Sequence, residues 1–166
     1  MLFRSLDGDR MVVYSVAGER LRNITSLYAE RARRAPVPAR LNLASPLVSY
    51  LLGPEWYPPD GAHRWMPRRA TLRLAGPARA GQRLYLTGTC PEDFLRSGPL
   101  GVTVTVDGVE LAPAQVRTSA FELAFALPAE AVGKTQIVVA VEASRAVTPP
   151  GEGRELALTF GTVEIR

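Results

Sequence analysis

The chain has 166 residues, is 46% hydrophobic and carries a net charge of +4, a size and balance that fit one globular domain and exclude a wholly disordered chain. The charge excess sits in residues 1–40, where eight arginines meet four acids, and the rest is balanced at twelve of each sign; a nucleic-acid module would need a dense basic face with interleaved aromatics. A lone cysteine, Cys90, excludes an intrachain disulfide, and the apolar runs are too short for a membrane span or a signal peptide, so a cytoplasmic location is expected.

RMVVYSV at 10–16 reads as a short strand, punctuated by Ala17-Gly18. Residues 19–34 predict an amphipathic helix, because Leu21, Ile24, Leu27 and Tyr28 fall on one face. Arginines crowd its last turns, where the helix dipole is negative, and APVPA at 35–39 stops it. One strand and one helix cannot bury a core of their own. Residues 1–38 are therefore expected to be a connector or docking segment, and the 19–34 helix offers a contact for a homo-oligomer. The glycosylation sequon Asn23-Ile24-Thr25 falls on this helix and is read as chance.

From about residue 39 the period changes to two. RATLRLAG (69–76), QRLYLTGT (82–89) and GVTVTVDG (101–108) alternate apolar with polar residues. Asp107-Gly108 is a two-residue hairpin signal. Its return strand, VELAPAQV (109–116), is bent at Pro113, which predicts an edge position. AFELAFALP (120–128), TQIVVAVEAS (135–144) and ELALTFGTVEIR (155–166) follow the same alternation. At least seven short strands separated by Gly and Pro turns predict an all-β fold over 39–166. The expected form is an antiparallel β-sandwich, jelly-roll or immunoglobulin-like, joined to one N-terminal amphipathic helix.

The search for chemistry gives little. One His and one Cys cannot form a zinc site without several clustered carboxylates, and no calcium loop is present. No cofactor or metal is expected. A Cys90–His63 pair is the only conceivable thiol catalyst, and Cys90 reads better as a small hydrophobe at a strand end. The acids Glu92-Asp93, Glu55 and Asp60 read as solvated loop charges rather than as a glycosidase pair.

The stretch GPEWYPPDGAHRWMPRRATLRL (53–74) holds both tryptophans and the only histidine. Flat aromatic rings can stack on the C–H faces of sugars while polar neighbours bond the hydroxyls. Trp56, Tyr57 and Asp60 lie in its looser half and are the leading ligand candidates. Trp65 begins a strand, HRWMP, and is expected to plug the core edge with Met66, with ligand contact as the other option. Arg145 and Arg154 bracket the loop VTPPGEG. Arg154 is expected to tie that loop to an acid such as Asp60 or Glu142, or else to contact a ligand together with Arg68.

The ordered set WYPPDGAHRWMPRRATLRL, RLYLTGTCP, GPLGVTVTVDGVEL, FELAFALP and VEASRAVTPPGEGRELALTFGTVEIR resembles an uncharacterised bacterial β-sandwich domain of acidobacterial type. Related patterns occur beside glycosyltransferases and cell-envelope glycan enzymes. The resemblance covers about residues 40–166. It implies an accessory domain similar in shape to carbohydrate-binding modules, and it brings no catalytic residues. RMVVYSVAGERLRNITSLY resembles the segment that precedes such a domain.

The expected function is thus a non-catalytic accessory module that binds carbohydrate or supports glycan-processing or envelope-biogenesis machinery. Its site candidates are Trp56, Tyr57, Asp60, Trp65, Arg68 and Arg154, and its partner a glycan or a glycan-processing protein. The alternative is a protein-interaction or oligomerisation scaffold.

Overall fold

A computed structural model describes residues 35–151 and 153–166, together with the backbone of three N-terminal strands. The chain separates into two units, Met1–Pro36 and Val37–Arg166.

In the first unit, β1 (Leu2–Asp7) and β2 (Arg10–Ser15) pair antiparallel from Leu2↔Ser15 to Asp7↔Arg10. β3 (Arg22–Asn23) adds to the other side of β2. The strand expected at 10–16 is therefore the middle of a three-stranded sheet. The helix expected over 19–34 lies outside the described residues, save that Arg22 and Asn23 form β3.

The second unit is all-β and is built from two antiparallel sheets. β4 (Arg40–Asn42), β5 (Pro59–Asp60), β6 (His63–Met66), β8 (Arg83–Thr89), β12 (Ala120–Ala126) and β14 (Leu158–Ile165) belong to one. Its order is β12-β8-β14-β6-β5, with β4 also on β14. β7 (Arg69–Leu74), β9 (Leu100–Val106), β10 (Val109–Glu110), β11 (Ala114–Val116) and β13 (Ile137–Ala143) form the other. Its order is β10-β9-β13-β7, with β11 also on β9.

The period-two pattern explains the core. In β9, Leu100, Val102, Val104 and Val106 are buried while the residues between them are half-covered. Leu72 and Leu74 of β7, Leu84 and Leu86 of β8, and Val139 and Val141 of β13 complete the same interior. Each such side chain contributes about 1.5–3 kcal/mol of apolar transfer. Asp107 at φ 49° and Gly108 at φ 85° make the hairpin turn that their sequence signalled.

β10 and β11 are one edge strand interrupted at Leu111–Pro113, as Pro113 predicts. β14 departs from the simple alternation expected of 155–166. A register shift between Phe160 and Thr162 places Gly161 at a bulge. Leu158 and Phe160 point inward before it, and Val163 and Ile165 after it. The bulge also lets β14 pair first with β6 and then with β4, and the Leu43 N–H bonds the Gly161 carbonyl at 2.9 Å.

Candidate functional site

Trp56 and Tyr57 are neighbours in sequence and point opposite ways. Trp56 is buried at 8% exposure and meets Phe160 edge-on, with centroids 5.9 Å apart. Its indole N–H donates to the Thr71 carbonyl at 2.7 Å, which the Gly53 N–H also bonds at 2.8 Å. Leu52 bridges Leu72 on the same strand, so this segment seals the sandwich beside β7. Trp56 is thus a core residue, not a ligand platform. The physical reason is that the gap beside β7 needs a large apolar body with one donor, which is what an indole supplies.

Trp65 takes the opposite role from the one expected of it. Within β6 the exposure alternates: Arg64 and Met66 are buried, His63 and Trp65 are not. Trp65 is half-buried on the outer face, with the His63 ring edge-on at 6.5 Å. It sits across from Thr159 in the sheet, and its carbonyl accepts the Tyr57 N–H at 3.2 Å. Met66 alone fills the core position.

Arg64, which the sequence offers with Arg68 as a polar contact for a ligand, instead turns inward with Met66. It is 4% exposed. Its Nε donates to the Leu43 carbonyl at 2.9 Å, and its guanidinium also reaches Ser49 Oγ at 3.0 Å. A buried guanidinium needs such acceptors. Arg64 therefore fastens residues 43–49 under β6 while its neighbours His63 and Trp65 face out.

Beside Trp65 lies a cluster of polar side chains. The Tyr57 hydroxyl donates to the Glu155 carbonyl at 2.9 Å, and the Arg154 guanidinium lies over the Tyr57 ring at 5.3 Å from its centroid. The Glu155 carboxylate accepts the Arg68 backbone N–H at 3.2 Å. Arg68 also faces Glu142 at 3.9 Å, with both side chains about half exposed. An exposed pair at that distance is worth only about 0–1 kcal/mol, so Glu142 holds the Arg68 guanidinium weakly. Three of the sequence candidates, Tyr57, Arg68 and Arg154, thus meet around Glu155, a residue that was not singled out. Asp60 is exposed at the β5–β6 hairpin, paired across from His63. Glu142, expected as an acid for Arg154, is the partner of Arg68.

Arg145 lies elsewhere. Its guanidinium donates to the carbonyls of Phe94 (2.6 Å), Pro99 (3.1 Å) and Gly98. It holds the loop after the single helical turn Glu92–Leu95.

Cys90 and His63 do not form a pair. Cys90 is fully buried just past the end of β8, and His63 lies on the outer face of β6. Burial pushes the Cys90 thiol up, and the opposing pull of the Arg145 charge is smaller. Among the described residues, no group of three or more His, Cys, Asp or Glu is placed to hold a metal ion. No described helix is long and apolar enough to cross a membrane.

No protein-family model matches the chain, and no curated protein matches it. Among solved structures the chain is similar to a family GH115 4-O-methyl-α-glucuronidase, BtGH115A, described as specific for decorated arabinogalactans. The TM-score is 0.42 at 12% identity, over 63% of this chain and 14% of that one. The match therefore spans a small part of that enzyme's length.

Proposed function

We propose that the 37–166 unit is a non-catalytic carbohydrate-binding accessory module whose contact surface is the outer face of β6. Trp65 supplies the stacking ring. His63, Asp60, Tyr57, Arg68 and Arg154 supply the polar rim. The observation that carries this reading is the outward turn of Trp65, at a position where strand alternation places its neighbours Arg64 and Met66 inside. A large ring on an outer sheet face, bordered by donors and acceptors, suits the C–H face and hydroxyls of a sugar.

The strand path supports the jelly-roll option over the immunoglobulin-like one. The chain alternates between sheets, so that β6-β14-β8-β12 lies over β7-β13-β9-β10/β11. That interleaving is the jelly-roll pattern, and lectin domains use it; the analogy bears on the fold and not on the ligand. The buried, raised thiol of Cys90 and its separation from His63 support a non-catalytic role.

Glycan-array binding followed by titration calorimetry tests the reading. Wild type and Trp56→Phe are expected to bind the same glycan, and Trp65→Ala to lose it. Equal binding by wild type and Trp65→Ala overturns the site, and a folded wild type that binds no glycan overturns the function.

A further inference from the structure

Among the described residues, the sandwich protects all but one of its long edges. The β7 edge is covered by Leu52. The opposite edge of that sheet is broken at Leu111–Pro113. In the other sheet, β5 is only two residues long and β4 only three. β12 differs. It runs seven residues, pairs with β8 along its whole length, and has no partner strand on its other side among the described residues. Of the usual devices against edge pairing, Ala120–Ala126 contains no Lys, no Pro and no bulge; its one charge, Glu122, is paired with Arg166 at 2.8 Å.

The direction of its free groups can be read off. The Cys90 N–H bonds the Ser119 carbonyl at 2.8 Å, so odd-numbered residues face β8. The even residues Ala120, Glu122, Ala124 and Ala126 therefore aim their N–H and C=O groups away from the sheet, and all four are exposed. Side chains confirm this direction: Thr118 Oγ1 donates to the Ala120 carbonyl at 2.8 Å, and Arg83 to the Ala124 carbonyl at 3.1 Å. A carbonyl has two lone pairs, so each can still accept a backbone N–H.

The geometry points to a second copy of this chain as the occupant of the β12 edge, joined antiparallel about a two-fold axis at Leu123. In that register Ala120 faces Ala126 of the second copy and Glu122 faces Ala124, so every free residue meets a free residue. Phe121 lies across from Phe125, and Leu123 from Leu123, on the core side. Small alanines fill the outer side. Charge also fits. Arg83 sits on the Ala124 carbonyl, so the Arg83 of one copy lies beside the Glu122 of the other, twice per dimer. A two-fold contact must be self-complementary in this way. The result is one continuous sheet through both sandwiches, independent of the 19–34 segment.

Sedimentation velocity on the full chain over a concentration series tests this. Wild type is expected to show a reversible dimer. Ala124→Pro removes one outward N–H and leaves the β8 ladder intact, since proline is tolerated on an edge; it is expected to abolish the dimer at the same concentrations while circular dichroism stays unchanged. Glu122→Arg breaks the pair with Arg166, which keeps Glu164 as its other partner, and sets like charges together across the axis; it is expected to weaken the dimer at least tenfold. Adding Arg83→Glu is expected to restore it. A wild type that stays monomeric at its highest soluble concentration overturns the proposal. So does a dimer that survives in folded Ala124→Pro, or one that ignores the charge at residue 122 where Ala124→Pro does not fold.

Discussion

The opposed roles of the two tryptophans predict opposed effects on stability. Trp56→Ala removes a side chain that is 8% exposed, packs edge-on against Phe160, and donates its N–H to the Thr71 carbonyl. Truncating a buried Trp to Ala costs about 3–5 kcal/mol, of which the ring pair accounts for about 0.5–1.5. Trp56→Phe keeps most of the ring and loses the hydrogen bond. The Thr71 carbonyl is not orphaned, because the Gly53 N–H still reaches it at 2.8 Å. The cost should then stay at about 1–2 kcal/mol. Trp65→Ala, from the outer face of β6, should cost about 1 kcal/mol or less. Urea denaturation followed by far-UV circular dichroism reads all three without relying on tryptophan emission. The ranking Trp56→Ala, Trp56→Phe, Trp65→Ala is the expected result. If Trp65→Ala proved the most damaging, or Trp56→Ala fell within about 1 kcal/mol of wild type, the assignment of core and surface roles in this stretch would be refuted.

Arg64→Ala is expected to destabilise the chain by about 2–4 kcal/mol, since it strands the Leu43 carbonyl and Ser49 hydroxyl under β6; hydrogen exchange should show lost protection at 43–49, and unchanged protection there would count against it. Cys90 should react slowly with iodoacetamide at neutral pH and quickly in urea, because it is buried and its thiol is raised; fast labelling of native protein would contradict the placement. Burial pushes the Asp107 carboxyl up, but bonds from Lys134 and the Val138 N–H, with the Lys134 charge, outweigh that and leave it below its ordinary 3.8. A lowered carboxyl stabilises the fold above its unfolded value and loses that contribution as pH falls from about 3.8 through the folded value. Asp107→Asn should therefore be less stable than wild type at neutral pH, and the gap should close in acid; a gap independent of pH would refute it.

Much of the fold was legible because strand periodicity is a local property. The alternation in 69–76, 82–89, 101–108 and 120–128 needs only adjacent residues to be read, and β7, β8, β9 and β12 follow it. The Asp107-Gly108 turn and the Pro113 interruption are equally local. What could not be read depends on distant partners. The bulge at Gly161 exists because β14 must pair with β6 and then with β4, two segments far away in sequence. The strand β1 pairs only because β2 returns beside it, and a single alternating segment does not announce its neighbour. The burial of Arg64 is set by carbonyls at 43–45 and the Ser49 hydroxyl that no pattern around residue 64 reveals.

The candidate site shows the same division at the scale of single residues. Counting aromatics singled out the 53–66 stretch but misassigned its rings to core and surface, because composition does not say which of Trp56 and Tyr57 turns inward. Parity decides that. In β6, Met66 belongs to the core, so Trp65 at the preceding position must face out. Arg64 then falls inside and becomes affordable only because its hydrogen bonds hold residues 43–49. Trp56 seals the gap beside β7, and its neighbour Tyr57 is carried outward to meet Glu155 and Arg154. The buried members of the stretch thus fix the exposed ones. Truncation of Arg64 or Trp56 to alanine should disturb the surface around Trp65 without touching it, which Trp56→Phe should not, whereas a change at Trp65 should leave the core as it is.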